Sequence, residues 1–160
     1  MGAESYFIHI IPQNVEPIKI KGANAFQGTT GLTVDSLINI LSSSFQIKHL
    51  QDKEYIVNEY WIISFSEETG GFQALTVEGC FTLFEKGITV IFELAKLIDR
   101  SIPIFIYHPY GIKKPITSEQ DLGSVMHQIY DQKIEQFKEL FPSSTKPSLP
   151  RETFYQSLHK

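Results

Sequence analysis

The stretch FQALTVEGCFTLFEKGITVIFELAKLIDRSIPIFIYH, residues 72–108, decides the fold. It begins with a strand-like apolar run at 72–79, continues with a helical pattern at 83–99 and ends with a second apolar run at 103–108. A strand, a helix and a strand in this order predict a βαβ unit, whose strands are parallel and whose crossover is right-handed. Because the second run is apolar on both faces, we expect it to be a central strand.

The helix at 83–99 carries its own start signal. In the sequence Thr82-Leu83-Phe84-Glu85, we expect Thr82 to cap the first turn and Glu85 to reach back to it. The polar residues of this helix fall on a single stripe, so most of its surface is expected to be buried against the sheet. The stripe consists of Glu85, Thr89, Glu93, Lys96 and Arg100.

The sequence on either side of this unit predicts further strands and helices. Alternating apolar and polar residues indicate strands, and apolar residues spaced three and four apart indicate amphipathic helices. The elements expected are strands at 6–11, 17–21 and 55–66, a loop at 22–31, a hairpin turn at 67–71, and helices at 34–45 and 118–141 with Thr33 and Ser118 as their N-caps. The short connection between the first two strands predicts that they pair as a hairpin. We therefore predict an α+β fold with a single mixed sheet of about five strands and three main helices.

Length and composition also predict the domain organisation. A chain of 160 residues fits one domain, and we assign residues 1–141 to it. Residues 142–150 contain three prolines and three serines, which is typical of a linker. Residues 151–160 are then a short C-terminal tail.

Composition argues against several classes of function. With a formal charge of -4, a pI near 5.7 and only two arginines, the chain lacks the basic surface that nucleic-acid binding needs. No apolar run approaches the roughly 20 residues of a transmembrane helix, and the first residues predict no secretory signal. A single cysteine excludes an internal disulfide. We therefore expect a cytoplasmic protein that binds neither nucleic acid nor a membrane.

The negative charge is concentrated in the middle of the chain. Residues 51–99 hold nine acidic and three basic residues and so carry the whole negative excess. Such an excess is either an ordinary solvated face or a surface that attracts a basic partner by electrostatic steering. We therefore predict a non-catalytic protein-binding module that neutralises or regulates a basic partner, as immunity and antitoxin proteins do. The binding residues expected are Glu59, Glu67, Glu68, Glu85 and Glu93, together with Tyr107 and Tyr110.

A second hypothesis is a cysteine-dependent hydrolase or transferase. Cys80 lies at the turn between the strand at 72–79 and the following helix, where a helix N-terminus lowers the pKa of a thiol. His108 ends the next strand, and parallel strands would bring both residues to the same edge of the sheet. The pair would then act as nucleophile and base. The alternative is structural: Cys80 packs as a small apolar residue, and His108 is a turn residue beside Pro109.

A third hypothesis is a small-ligand sensor. The loop Gly28-Thr29-Thr30-Gly31 precedes a helix and could present backbone amides to an anion. Tyr107, Tyr110 and the pair Lys113-Lys114 could line the mouth of a pocket. The sequence contains no GxGxxG, GxxxxGK[ST], HExxH or CxxC motif. We therefore expect no nucleotide, metal or other cofactor.

Overall fold

The computed structural model describes residues 5–80, 83–109, 112–115 and 118–140. Nine strands and three helices lie within these residues, so the α+β class and the three predicted helices are confirmed. In chain order they are β1 (Ser5–Pro12), β2 (Glu16–Ile20), β3 (Ala23–Gln27), α1 (Val34–Ser42), β4 (Ile47–Gln51), β5 (Glu54–Val57), β6 (Trp61–Glu68), β7 (Gly71–Cys80), α2 (Phe84–Asp99), β8 (Ile104–His108), β9 (Ile112–Pro115) and α3 (Glu119–Leu140).

Seven of the strands form one sheet in the order β4-β5-β6-β7-β1-β8-β9, and β2 and β3 form a separate two-stranded sheet. The prediction of a single sheet of about five strands is therefore wrong. Every pair of neighbouring strands is antiparallel, so the sheet is also not mixed as we expected. Strands β4 to β7 follow one another through short turns, and short turns can join only antiparallel neighbours.

The predicted βαβ unit is present, but one strand is inserted into it. β7 and β8 are both antiparallel to β1, so they run parallel to each other on either side of it. α2 connects them. β8 therefore lies second from the edge of the sheet, beside β9, and is not the central strand that its apolar sequence predicted.

The two faces of the large sheet are covered by different elements. On β1, side chains alternate between the faces, so that Tyr6, Ile8 and Ile10 point to one face and His9 and Ile11 to the other. The first face, which we call the helix face, packs against all three helices in one apolar core. α2 lies between α1 and α3 and contacts β7 and β8. The second face, which we call the hairpin face, carries the β2–β3 hairpin.

Several turns place residues other than glycine at positive φ, and this explains most differences from the predicted elements. The segment expected as one strand at 55–66 is two strands, because Asn58 and Glu59 turn the chain with φ angles of 47° and 72°. β2 pairs with β3 through the turn Lys21-Gly22 and not with β1 as we expected. β3 lies in a segment expected to be a loop, and β4 in one with no predicted strand. Such turns have no strong sequence signature, because positive φ is uncommon outside glycine.

The predicted starts of two helices are confirmed. The hydroxyl group of Thr33 accepts a hydrogen bond from the Ser36 backbone N–H at 3.1 Å at the start of α1. The hydroxyl group of Ser118 accepts one from the Asp121 N–H at 3.0 Å at the start of α3. α2 begins at Phe84. The residue at its N-cap position, Leu83, makes no side-chain hydrogen bond to the helix. Thr82, the predicted cap, lies outside the described residues, as do the predicted linker at 142–150 and tail at 151–160. Within the described part of the chain, no helix is both long enough and apolar enough to cross a membrane.

Candidate functional site

The strand register places Cys80 and His108 on opposite faces of the sheet. Cys80 pairs with Ser5 and lies on the hairpin face. His108 follows Tyr107, which pairs with His9 on that same face, so His108 points to the helix face. Two strand spacings and about 10 Å along the strands also separate the residues. The structure therefore does not bring together the pair that the hydrolase hypothesis requires. The cause is β1, which is inserted between the strands that carry Cys80 and His108.

Two histidines are buried on either side of the β1–β8 pair. The exposed fractions are 7% for His9 and 6% for His108. Burial is the main cause that lowers the pKa of each ring from 6.5 to about 4. Lys19, and His108 when it is protonated, lower the pKa of His9 further, and Lys133 of α3 does the same for His108. Both rings are therefore neutral at pH 7.

The predicted acidic residues do not form one continuous patch. Glu59 precedes β6, and Glu67 and Glu68 end it, so they are roughly 23 Å apart along the strand. That separation exceeds the Debye length of about 8 Å at physiological salt. The side chain of Glu67 is only 28% exposed, and its carboxylate forms a salt bridge with Lys53 at 2.7 Å.

Glu85 and Glu93 lie on α2, whose polar stripe is exposed as predicted. Gly87 packs against Trp61, so Glu85 lies at the same end of the molecule as Glu59. Glu93 lies two helical turns further along. Glu85 lines a groove between two helices.

This groove runs between α2 and α3 and has a volume of about 820 Å³. Ile88 and Gly123 form its floor, and a β-carbon at Gly123 would lie 3.8 Å from the Cγ2 atom of Ile88. A β-carbon at Gly123 would therefore fit at this point, in ordinary contact with Ile88. We call this feature the α2–α3 groove.

Three carboxylates line the α2–α3 groove, one from Glu85 on α2 and two from Glu119 and Asp131 on α3. No lysine or arginine is among the described residues that line it. The Nε2 atom of His127 lies 3.0 Å from Glu85 Oε1, and the hydroxyl group of Thr89 donates to Glu119. These two contacts join the helices across the groove and hold two of the carboxylates in place. The groove therefore presents fixed negative charge above an apolar floor.

The α3 half of the groove was missed by reasoning from the sequence. The acidic interval that the sequence singles out is 51–99, and α3 (Glu119–Leu140) lies outside it. A signal was nevertheless present, because Glu119, His127 and Asp131 recur at multiples of four residues and so share one side of a helix.

The loop Gly28–Gly31 has a structural role. The hydroxyl group of Thr30 donates to the Phe72 carbonyl oxygen at 2.9 Å, and that of Thr29 donates to the Glu68 carbonyl oxygen at 3.2 Å. A β-carbon at Gly71 would overlap both threonines, so the loop lies directly on the start of β7. These threonines hold the loop that precedes α1 to the β6–β7 turn.

Part of the predicted aromatic and basic cluster lies together, because Tyr107 on β8 is directly opposite Lys113 on β9, whereas Lys114 is opposite Ile106 on the other face. The ring of Tyr107 stacks on His9 on the hairpin face, with 5.7 Å between ring centroids. Lys113 lies above the ring of Phe105 and forms an ion pair with Glu16 at 3.4 Å. Tyr110 lies outside the described residues.

Comparisons with known proteins found no matching protein family, no matching curated protein and no matching solved structure. Among the described residues, no three His, Cys, Asp or Glu side chains lie close enough together to hold a metal ion.

Proposed function

We propose that the protein is a non-catalytic binding module that accepts a basic segment of a partner protein in the α2–α3 groove. The observation that carries this proposal is the chemistry of the groove. Glu85, Glu119 and Asp131 surround an apolar floor, and no lysine or arginine is among its described lining residues.

The shape of the groove suits lysine and arginine side chains in particular. Both combine a long apolar stem with a charged head group. The stem would pack on Ile88 beside Gly123, while the head group would pair with the surrounding carboxylates. Charge-assisted hydrogen bonds of this kind are stronger than neutral ones.

The net charge of the protein supports the same class of partner. At -4 the whole chain repels acidic proteins and attracts basic ones. Immunity and antitoxin proteins neutralise basic partners with acidic surfaces of this kind, and we propose that this protein acts in that way. Such a surface raises the association rate and selects against wrong partners more than it raises the affinity.

The first test is affinity capture from the source cells with three forms of the protein. The groove variant carries Glu85→Gln, Glu119→Gln and Asp131→Asn. The matched control carries Glu67→Gln and Glu68→Gln at the far end of β6. Circular dichroism first establishes that both variants are folded.

We expect the wild type and the control to retain a basic protein that the groove variant loses. The captured protein must then be purified and must bind the wild type directly, so that capture alone does not decide the question. If the groove variant captures the same proteins as the wild type, the groove is not the binding site. If only the control loses the partner, the site lies at the β6–β7 turn instead.

A further inference from the structure

The β2–β3 hairpin contacts the hairpin face of the large sheet at several points. The Phe26 ring meets the His9 ring edge-on, with 5.4 Å between centroids. The Nε2 atom of Gln73 donates to the carbonyl oxygens of Phe26 and Gly28 at 3.0 and 2.8 Å. The fourth contact is the Lys113–Glu16 ion pair described above. His9 therefore lies directly beneath the hairpin.

The immediate partners of His9 are uncharged. Its Nδ1 atom lies 2.8 Å from the hydroxyl group of Thr76 on β7, and the ring of Tyr107 on β8 stacks against it. With Phe26 above, these residues leave the ring 7% exposed.

The charged groups around His9 come from four strands. Lys19 on β2 and His108 on β8 act against a positive charge on the His9 ring. Glu78 on β7 shares the hairpin face, two residues beyond the partner of His9. On the far side of β8, Lys113 of β9 is paired with Glu16 of β2. Of the two groups that act against a charged His9 ring, Lys19 carries its charge at pH 7, and it belongs to the hairpin itself.

We propose that the β2–β3 hairpin is a flap that mild acid releases from the sheet, with protonation of the His9 ring as the trigger. A charged ring at this position would be desolvated beneath Phe26 and repelled by Lys19. Release of the hairpin gives the ring access to water and moves Lys19 away. Because the hairpin is a two-stranded sheet separate from the large one, its local opening costs less free energy than unfolding of the whole sheet.

The expected pH range follows from the two states of His9. In the closed state burial, His108 and Lys19 lower its pKa to about 4, whereas the exposed ring of the open state has the ordinary value of 6.5. The open state therefore binds a proton more readily as the pH falls below 6.5. Its population relative to the closed state rises about tenfold for each pH unit down to about 4 and then levels off.

Release of the hairpin would uncover an apolar surface. Ile11 and Ala74 lie on the hairpin face, and both are fully buried. Phe105 on β8 lies on the same face beside Ile11. The flap therefore controls access to a patch that is closed at pH 7.

The test is hydrogen–deuterium exchange of the full chain between pH 7 and pH 4, corrected for intrinsic exchange rates. Peptides that cover residues 16–27 report on the flap, and peptides from β6 and β7 report on the main sheet. We expect opening at residues 16–27 to increase about tenfold per pH unit, while the main sheet keeps its protection. Simultaneous loss of protection in both sets would show global unfolding and overturn the proposal.

Three variants identify the trigger. His9→Gln removes the titrating ring and should abolish the increase. Lys19→Gln removes the repelling charge of the hairpin and should reduce the increase, because the pKa of His9 in the closed state then lies higher. Lys21→Gln is the matched control, one lysine further along the same hairpin, and should behave as the wild type. Should His9→Gln fail to fold, the two lysine variants still decide, since equal responses from both would contradict the proposal.

Discussion

The hydroxyl group of Tyr6 occupies the space that a side chain at Gly87 would need. Tyr6 lies on β1 and Gly87 in the first turns of α2, so their contact sets the distance between the helix and the sheet. A β-carbon at Gly79 on β7 would overlap the same ring, and the Trp61 Nε1 atom donates to the Tyr6 hydroxyl group at 3.4 Å. The start of α2, which carries Glu85, is thereby fixed against the sheet.

We therefore predict that Gly87→Ala lowers the free energy of unfolding. Alanine favours a helix over glycine by about 1 kcal/mol, but overpacking against Tyr6 costs about 1–3 kcal/mol. The matched control is Gly123→Ala in α3, whose β-carbon would meet Ile88 at 3.8 Å, an ordinary contact distance. Urea denaturation should show a loss for Gly87→Ala and a gain for Gly123→Ala. A gain for both would mean that Tyr6 does not pack as described.

The second prediction concerns Gln73, a buried residue at a β-bulge in β7. Its Nε2 atom donates to two backbone carbonyl oxygens, and its Oε1 atom accepts from the Ser66 hydroxyl group at 2.7 Å. Gln73→Glu would place a carboxylate against those carbonyl oxygens, and we expect it to cost about 3 kcal/mol or more. Gln73→Met keeps the volume without the charge and should cost less. Equal losses in urea denaturation at pH 7 would mean that the lost hydrogen bonds, and not the buried carboxylate, account for the cost.

The third prediction concerns the pH dependence of global stability. The pKa of His9 and that of His108 are each lowered from 6.5 to about 4 in the folded protein. The unfolded chain therefore binds more protons between these pH values, so stability is highest above pH 6.5 and falls as the pH drops towards 4. While the hairpin stays closed, each ring accounts for a loss of about 3 kcal/mol over this range.

Urea denaturation of His108→Gln, measured from pH 8 to pH 4, tests this assignment. The variant should show a shallower loss of stability than the wild type, because one of the two rings no longer titrates. His49→Gln, at an exposed histidine on β4, is the control and should follow the wild type. A His108→Gln curve parallel to that of the wild type would show that the buried ring does not contribute.

Part of this fold could be predicted from the sequence because it depends on local patterns. The order β7, α2, β8 and the caps at Thr33 and Ser118 follow from periodicity and from short-range hydrogen bonds. The insertion of β1 between β7 and β8 could not be predicted, because it joins residues far apart in the chain through backbone pairing that has no local signature. This one strand places Cys80 and His108 on opposite faces.

The candidate site was predicted only in part for a related reason. Glu85 was chosen because it lies in an acidic interval and on the polar stripe of its helix. Its neighbours Glu119 and Asp131 come from a helix more than 30 residues further along the chain. Proximity between α2 and α3 depends on the packing of Ile88 against Gly123, which no spacing within one helix reveals.

The association rate of the basic partner with the α2–α3 groove is the most direct test of the central claim. Stopped-flow measurements at low and physiological salt would compare the wild type with the variant that carries Glu85→Gln, Glu119→Gln and Asp131→Asn. We predict that salt slows association of the wild type, that the variant associates more slowly, and that its rate depends less on salt. A rate that is the same for both proteins and indifferent to salt would contradict the proposal that this groove receives a basic partner.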